Sequence, residues 1–402
     1  MSVPSIMDVD VRGKTLVVRA DLNVPVEDGK VTDATRITRF AAGMKPLLEK
    51  GARLVILTHF GRPKPNVLDP SFSVNKLRPA LADALGVPVK FSDTCATQAA
   101  KVHANGLADG EALLCENLRY NPGETANDTA FAEKLAALGD IYVNDAFSCA
   151  HRAHASTEAI ARLMPAYAGP LLEEEMRMLS AALDAPKRPS VAIVGGAKVS
   201  SKIAVLKNLV AKVDHIIIGG GMANTFLFAD GAPMGKSLHE AGEVDTVREI
   251  RGLAKDANCT LHLPEDVVAA KDFAAHAEHV VVANDACPED CMILDAGPKA
   301  LAAFQSVLAE CNTILWNGPL GAFEMQPFDT ATMELARTAA DLTDAGKVVS
   351  VAGGGDTVAA LNAAGVAGDF TYVSSAGGAF LEWLEGKTLP GIAALQDAAK
   401  AA

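Results

Sequence analysis

Runs of consecutive apolar residues alternate along this chain with stretches whose apolar positions recur every three or four residues. The clearest runs in the first half are "KTLVVRADL", "ARLVILTHF", "EALLCENL" and "DIYVNDAF". In the second half they are "SVAIVGG", "HIIIGGG", "CTLHLPED", "NTILWNGP", "KVVSVAGGGD" and "FTYVSSAGG". Continuous apolar runs, as opposed to alternating ones, are the pattern of strands covered on both faces by helices. The pattern predicts an α/β protein with mostly parallel sheets. A chain of 402 residues is too long for one ordinary core, so two domains are expected. The stretch "GPLLEEEMRMLSAALDAPKRPS" has acidic residues early, Arg177 later and prolines at its end. It reads as a helix followed by a break, and the connection between the domains is expected there. The tail "AALQDAAKAA" reads as a frayed end.

Half of the residues are hydrophobic and 21% are charged, the balance of a globular, soluble protein. A net charge of −13 argues against nucleic acid and against an anionic membrane surface as partners. The seven cysteines include no C-x-x-C pair. Cys287 and Cys291 stand closest, at a spacing suited neither to redox work nor to zinc, and all are read as reduced cytosolic thiols. "MSVPSIMDVDVRGK" lacks the apolar core of a signal peptide and no run approaches membrane-spanning length, so a cytoplasmic location is expected.

Charge and glycine divide between the halves. After Arg188 only Arg248, Arg251 and Arg337 follow, whereas glycine clusters gather there at 195–196, 219–221, 353–355 and 377–378. Arginine forks bind carboxylate and phosphate bidentately, and glycine turns let backbone amides and flat rings approach closely. The first half is therefore expected to hold a small, multiply charged anion and the second a nucleotide.

Several strand-like runs of the first half end in polar residues: Asp21 and Asn23, with Arg36 further on, then His59 and Arg62, Arg119, and finally His151 and Arg152. Open α/β sheets bind ligands at such strand ends. Each residue alone has a plainer reading as a solvated loop or a scattered surface ion pair, but convergence of Arg62, Arg119 and Arg152 would make a phosphate clamp. His151 and His154 are three apart, but this spacing alone is weak and no metal is assigned to them. In the second half "VAIVGGAKVSSKIAVL" reads as a strand, a glycine turn and a helix with Lys198 and Lys202 one turn apart on one face. It is not a Walker-A loop, and the Gly235-Lys236-Ser237 and Gly386-Lys387-Thr388 triplets are decoys lacking the upstream glycine. "HIIIGGGMANTFL" carries Asn224 where a dinucleotide fingerprint needs its last glycine. In "SVAGGGDTVAAL" Asp356 opens a helix after three glycines; it reads either as an N-cap or as a ligand of Mg²⁺ on nucleotide phosphates, and the glycines favour the second.

Taken in order, "RADLNVPVEDGKVTDATRI", "LTHFGRPK", "ENLRYNPGE", "VNDAFSCAHRAHAS", "AIVGGAKVSSKI", "IIIGGGMANTF", "GKSL", "WNGPLGAFE", "VAGGGDT" and "LEWLEGKTLPG" cover nearly the whole chain and resemble the phosphoglycerate kinase family. The resemblance implies reversible phosphoryl transfer between 1,3-bisphosphoglycerate and ADP, with Mg²⁺ and no permanently bound cofactor, by a cytoplasmic monomer. It implies two Rossmann-like lobes joined by a hinge helix: a glycerate-binding lobe over 1–172, a connector over 173–187, a nucleotide-binding lobe over 188–375, and a segment 376–402 that packs back on the first lobe. It also assigns roles. Asp21 and Asn23 meet the glycerate hydroxyl, and Arg36 the reacting carboxyl and transferring phosphoryl. His59, Arg62, Arg119, His151 and Arg152 cradle the non-reacting phosphate. Lys198 is catalytic and Lys202 holds nucleotide phosphates. Gly220 and Gly318 fall in stretches lining the base pocket, and Glu324 contacts the ribose. Gly353, Gly354, Gly355, Asp356 and Thr357 form the phosphate loop, with Asp356 on the metal. Gly377 and Gly378 offer backbone donors to the moving phosphoryl. The chain departs from the pattern at Ala376 and Phe380, where a glycine and a small polar residue are expected, and at Thr58 and Phe60, where serine and leucine are usual. Two rivals are a two-lobed NAD-dependent dehydrogenase, which needs the missing G-x-G-x-x-G, and a catalytically silent scaffold, which would have lost Arg36, Lys198 or Asp356.

Overall fold

A computed structural model describes residues 3–401. The chain forms two compact units. One takes the chain up to Met176 together with the stretch from Thr388 onward, and the other runs Arg177–Lys387. The chain passes from the first to the second inside the helix Pro170–Leu183.

The first unit is built on six parallel strands. Their order across the sheet is Val89–Ser92, Ala112–Cys115, Arg53–Leu57, Thr15–Ala20, Ile141–Asp145 and Ala166–Ala168. All six residues of Thr15–Ala20 and all five of Ile141–Asp145 are buried, so this sheet is covered on both faces, as the unbroken apolar runs require. Leu16, Val18, Leu54 and Ile56 pack on one face against Ile37, Phe40, Ala41 and Met44 of the helix Thr35–Glu49. The edge strands Val89–Ser92 and Ala166–Ala168 are not among the runs the sequence picks out; each is short and only partly buried.

The second unit has six parallel strands ordered Thr260–His262, His215–Ile218, Ser190–Val194, Thr313–Asn317, Val349–Gly353 and Tyr372–Ser374. In order along the chain this is 3-2-1-4-5-6, the doubly wound arrangement whose ligand crevice opens where the first and fourth strands part. A three-stranded antiparallel sheet, with Asp266–Ala270 between His279–Ala283 and Met292–Ala296, is inserted between the third and fourth strands. The expected boundary at residue 376 falls too early. The helix Gly377–Leu384 stays with the second unit, where Asn208 Nδ2 donates to the Leu384 carbonyl at 2.7 Å. Only the helix Pro390–Ala401 returns to the first unit, and the Gly391 amide there donates to the Ala150 carbonyl at 2.9 Å. Among the described residues no helix is long and apolar enough to cross a membrane, and all seven cysteines are free and buried.

Candidate active site

In the first unit, three adjacent strand ends deliver one polar set. Asp21 follows Thr15–Ala20, His59 follows Arg53–Leu57, and Ser148 with Cys149 follows Ile141–Asp145. Arg36 Nη1 donates to Asp21 Oδ2 at 2.8 Å, and Ser148 Oγ donates to the same oxygen at 2.5 Å. Burial pushes the Asp21 carboxyl up, but the Arg36 guanidinium, the Ser148 hydrogen bond and the Arg19 charge together hold it below its ordinary value. Asn23 Oδ1 accepts the Gly61 amide at 2.9 Å, and Arg119 Nη1 donates to the Gly61 carbonyl at 2.6 Å. Gly61 has a φ of +59°, and a side chain there would strike the Phe72 ring at 2.5 Å. The "FGRP" turn is thus pinned from both sides, leaving Arg62 exposed at its tip. Arg152 Nε donates to His151 Nε2 at 3.1 Å.

Three guanidinium groups, on Arg62, Arg119 and Arg152, have no carboxylate within ion-pair distance among the described residues. Burial, then repulsion from Arg152, lowers the Arg119 pKa from its ordinary value. Concentrated positive charge without local neutralisation is what a multiply charged anion requires. His59 is different: burial first and then Arg19 push its pKa down to about 2, so at neutral pH it acts as a neutral hydrogen-bonding ring. Asp21, His59 and Cys149 place one donor atom each within 4.8 Å of one another. Arg19 Nη2 already donates to His59 Nδ1 at 3.0 Å and to Cys149 Sγ at 3.5 Å. A guanidinium occupies those lone pairs, which disfavours a metal ion there.

In the second unit, a cavity of about 260 Å³ opens between the triple-glycine turn 219–221 and the segment Pro319–Glu324, with Leu238, Val267, Phe273 and Ile293 among its apolar walls. Glycine is required where the backbones meet. A side chain on Gly195 would lie 1.8 Å from the Pro319 carbonyl, one on Gly318 would lie 2.1 Å from the Gly195 carbonyl, and one on Gly221 would lie 2.4 Å from the Ala197 carbonyl. Glu324 is exposed at the rim, and Gly220 lines the cavity. Gly318 does not; it stands behind the wall, its amide donating to Thr357 Oγ1 at 2.7 Å. Thr357 is buried, and its hydroxyl serves this turn instead of facing the cavity.

The strand Val349–Gly353 runs through Gly354, at φ +99°, into the helix Gly355–Ala363. Asp356 lies exposed in the first helical turn and lines the cavity. The first-turn amides favour phosphate, and an exposed carboxylate beside them is a hard oxygen donor that suits Mg²⁺. The two lysines are not on one helical face. The helix begins only at Ile203, Lys202 sits at its cap position, and Lys198 lies in the preceding loop. Ser201 Oγ donates to the Lys198 carbonyl at 2.8 Å, while the Ser200 amide and hydroxyl donate to Glu240 at 2.9 and 2.5 Å. Those bonds draw the backbone away from helical geometry. Lys202 Nζ donates to Asn317 Oδ1, and Asn317 Nδ2 donates to the Gly353 carbonyl at 2.7 Å. Asn317, which sequence reasoning missed, thereby ties Lys202 to the glycine loop; its signal was the polar end of the buried run "NTILWN". Burial lowers the Lys202 pKa, opposed chiefly by Asp356. Gly377 and Gly378 start the helix Gly377–Leu384, which has no side-chain cap. Phe380 is fully buried, its ring where a side chain on Gly353 would fall, 2.8 Å from the nearest ring carbon.

One unit with arginines at its strand ends that lack carboxylate partners, and another with a glycine-walled cavity beside a phosphate-type loop, define an α/β protein of the nucleotide-handling class. Comparison with known proteins identifies the group. A family model for phosphoglycerate kinase matches residues 6–387. The phosphoglycerate kinase of Ruegeria sp. (strain TM1040) is 58% identical over 389 residues, covering 97% of this chain and 98% of that protein. That of a strain of Methylorubrum extorquens is 56% identical over 385 residues, covering 96% of each. The solved structure of phosphoglycerate kinase from Coxiella burnetii superposes with a TM-score of 0.92 at 41% identity, covering 98% of this chain and 99% of that one. The one from Pyrococcus horikoshii OT3 does so with a TM-score of 0.79 at 28% identity and the same coverage. The chain belongs to the phosphoglycerate kinase family.

Proposed function

We propose that this chain, acting as a monomer, transfers a phosphoryl group reversibly between 1,3-bisphosphoglycerate and ADP, giving 3-phosphoglycerate and ATP. The observation that supports the site assignment is that Arg119 and Arg152 act on each other and on His59 with no carboxylate ion-paired to either, while Arg119 holds the carbonyl of Gly61, the residue before Arg62. That face takes the phosphate that does not react, with His151 beside it and neutral His59 as an N–H donor. Asp21 and Asn23 orient the glycerate hydroxyl; Arg36, fixed on Asp21, reaches the carboxyl and the transferring group. In the other unit the cavity takes the base against the glycine turn containing Gly220, and Glu324 takes the ribose. Gly318 contributes from behind the wall, and Thr357 through its backbone. Lys202 and the amides of the loop Gly353, Gly354 and Gly355 take nucleotide phosphates.

The carboxylate acceptor is already ionised at neutral pH, so no general base is needed. The chemistry is positioning and charge neutralisation around a loose phosphoryl transition state. Lys198 and the Gly377 and Gly378 amides neutralise that charge. Asp356 would hold Mg²⁺, which when bound neutralises nucleotide phosphate charge. The test is ATP formation from ADP and 1,3-bisphosphoglycerate in a coupled assay, with and without Mg²⁺, in wild type and Lys198→Met. Lys198→Met is expected to cut kcat by about a hundredfold or more with both substrates' dissociation constants within a few-fold. Near-normal single-turnover transfer at saturating substrates would remove Lys198 from the chemistry.

A further inference from the structure

Two opposite charges, Arg19 and Glu124, lie inside the first unit, each only 1% exposed. Buried charges of this kind need paired hydrogen bonds to persist. Ser156 supplies the link. Its amide donates to Glu124 Oε2 at 3.0 Å and its hydroxyl donates to Glu124 Oε1 at 2.6 Å. Arg19 Nε donates to the same hydroxyl oxygen at 2.9 Å, Nη1 donates to the Ala20 carbonyl, and Nη2 meets His59 Nδ1 at 3.0 Å. A guanidinium has donors and no acceptor, so Nδ1 of His59 must be the acceptor in that contact. A neutral imidazole then carries its proton on Nε2. Each proton along the row is directed by the group before it, and the row starts at Glu124, the acceptor of both Ser156 bonds.

We propose that Glu124, acting through Ser156 and Arg19, is a positioning residue that holds His59 as the neutral tautomer protonated on Nε2, a directed donor toward the phosphoglycerate ligand. The proposal rests on the reading that His59 serves the glycerate site. Glutamine at position 124 offers one acceptor oxygen where Ser156 needs two, and it removes the charge opposite Arg19. The other carboxylate whose charge acts on Arg19 is Asp21, so without the Glu124 charge the pull on the guanidinium is one-sided and its bond to His59 is expected to loosen.

The experiment uses the full chain labelled with ¹⁵N-histidine, followed by long-range ¹H–¹⁵N correlation NMR near neutral pH. In wild type, His59 is expected to show an unprotonated Nδ1 and a protonated Nε2. In Glu124→Gln it is expected to show tautomer mixing, with the 3-phosphoglycerate KM raised roughly tenfold, the scale of one lost hydrogen bond, and the ADP KM within about twofold. Ser156→Ala added to Glu124→Gln is expected to change little more, because the two act in one row. A wild-type His59 that is imidazolium, or protonated on Nδ1, overturns the positioning row even if the variants do not fold. A folded Glu124→Gln with the wild-type tautomer and an unchanged 3-phosphoglycerate KM overturns it as well. Adding 3-phosphoglycerate tests the underlying site reading separately: a His59 resonance that stays put overturns that reading, whatever the tautomer.

Discussion

Asn317→Ala separates the architecture of the nucleotide loop from its composition. Asn317 is nearly fully buried and spans two partners, donating to the Gly353 carbonyl at 2.7 Å and accepting from Lys202. Alanine leaves that carbonyl without its side-chain donor at a cost of about 1–3 kcal/mol. The lost bond to the Lys202 ammonium adds about 1 kcal/mol, less than a fully buried charged bond because water reaches a half-buried group. The expected loss of unfolding free energy is therefore about 2–4 kcal/mol, read from urea denaturation with the slope unchanged. Lys202 and the 353–355 turn would then have to be ordered by the ligand itself. Mg-nucleotide affinity should fall about tenfold by calorimetry while 3-phosphoglycerate affinity stays within about twofold. Asn317→Asp divides the two effects: it keeps an acceptor for Lys202 and sets a carboxylate against the Gly353 carbonyl. A stability loss under about 0.5 kcal/mol together with unchanged nucleotide affinity would refute the bridge as an organiser of the loop.

Three further outcomes are expected. Arg62→Ala and Arg152→Ala each remove a charge-assisted contact of about 1.5–3 kcal/mol and should weaken mainly 3-phosphoglycerate; calorimetry showing unchanged affinity in both would take them out of the site. Asp356→Ala should weaken Mg-nucleotide and leave 3-phosphoglycerate binding nearly intact, measured by titrating each ligand alone. Asp295→Asn tests a buried carboxyl beside the cavity, which burial raises to about 8. The folded protein then keeps a proton that the unfolded chain releases above the ordinary carboxylate range. Wild-type stability is lost on this account as pH rises toward 8, by about 1.4 kcal/mol per pH unit, and levels off above it. Asparagine has no such proton, so the variant should gain on wild type across that window in melts at several pH values; a pH-independent difference would contradict it.

The strand ends were legible because an apolar run that stops at a polar residue marks both a covered strand and its mouth. That is how Asp21, His59, Arg119 and Arg152 could be named from sequence. What lay hidden was set by partners far along the chain. Ser200 is held by Glu240, forty residues on, so the helix starts later than its periodicity suggests and Lys198 sits in a loop. Thr357 looked like a ligand contact and turned inward because Gly318 needed an acceptor. Arg19 is a charge inside an apolar run, a sign that something opposite lay buried beside it, but Glu124 and Ser156 could not be named without the fold. The antiparallel strand His279–Ala283 went unseen because it is mostly exposed and lies at the edge of its small sheet.

The first unit is encoded in two pieces and the second in one. The closing piece, the helix Pro390–Ala401, lies against Ala155–Arg162 and the strand Ala166–Ala168, and its start braces the loop that carries His151 and Arg152 through Ala150. During synthesis, which runs from the N-terminus, the ribosome finishes the whole of the second unit before this helix emerges. The basic face therefore stays unbraced for the length of that interval, and the unit begun first is the one completed last.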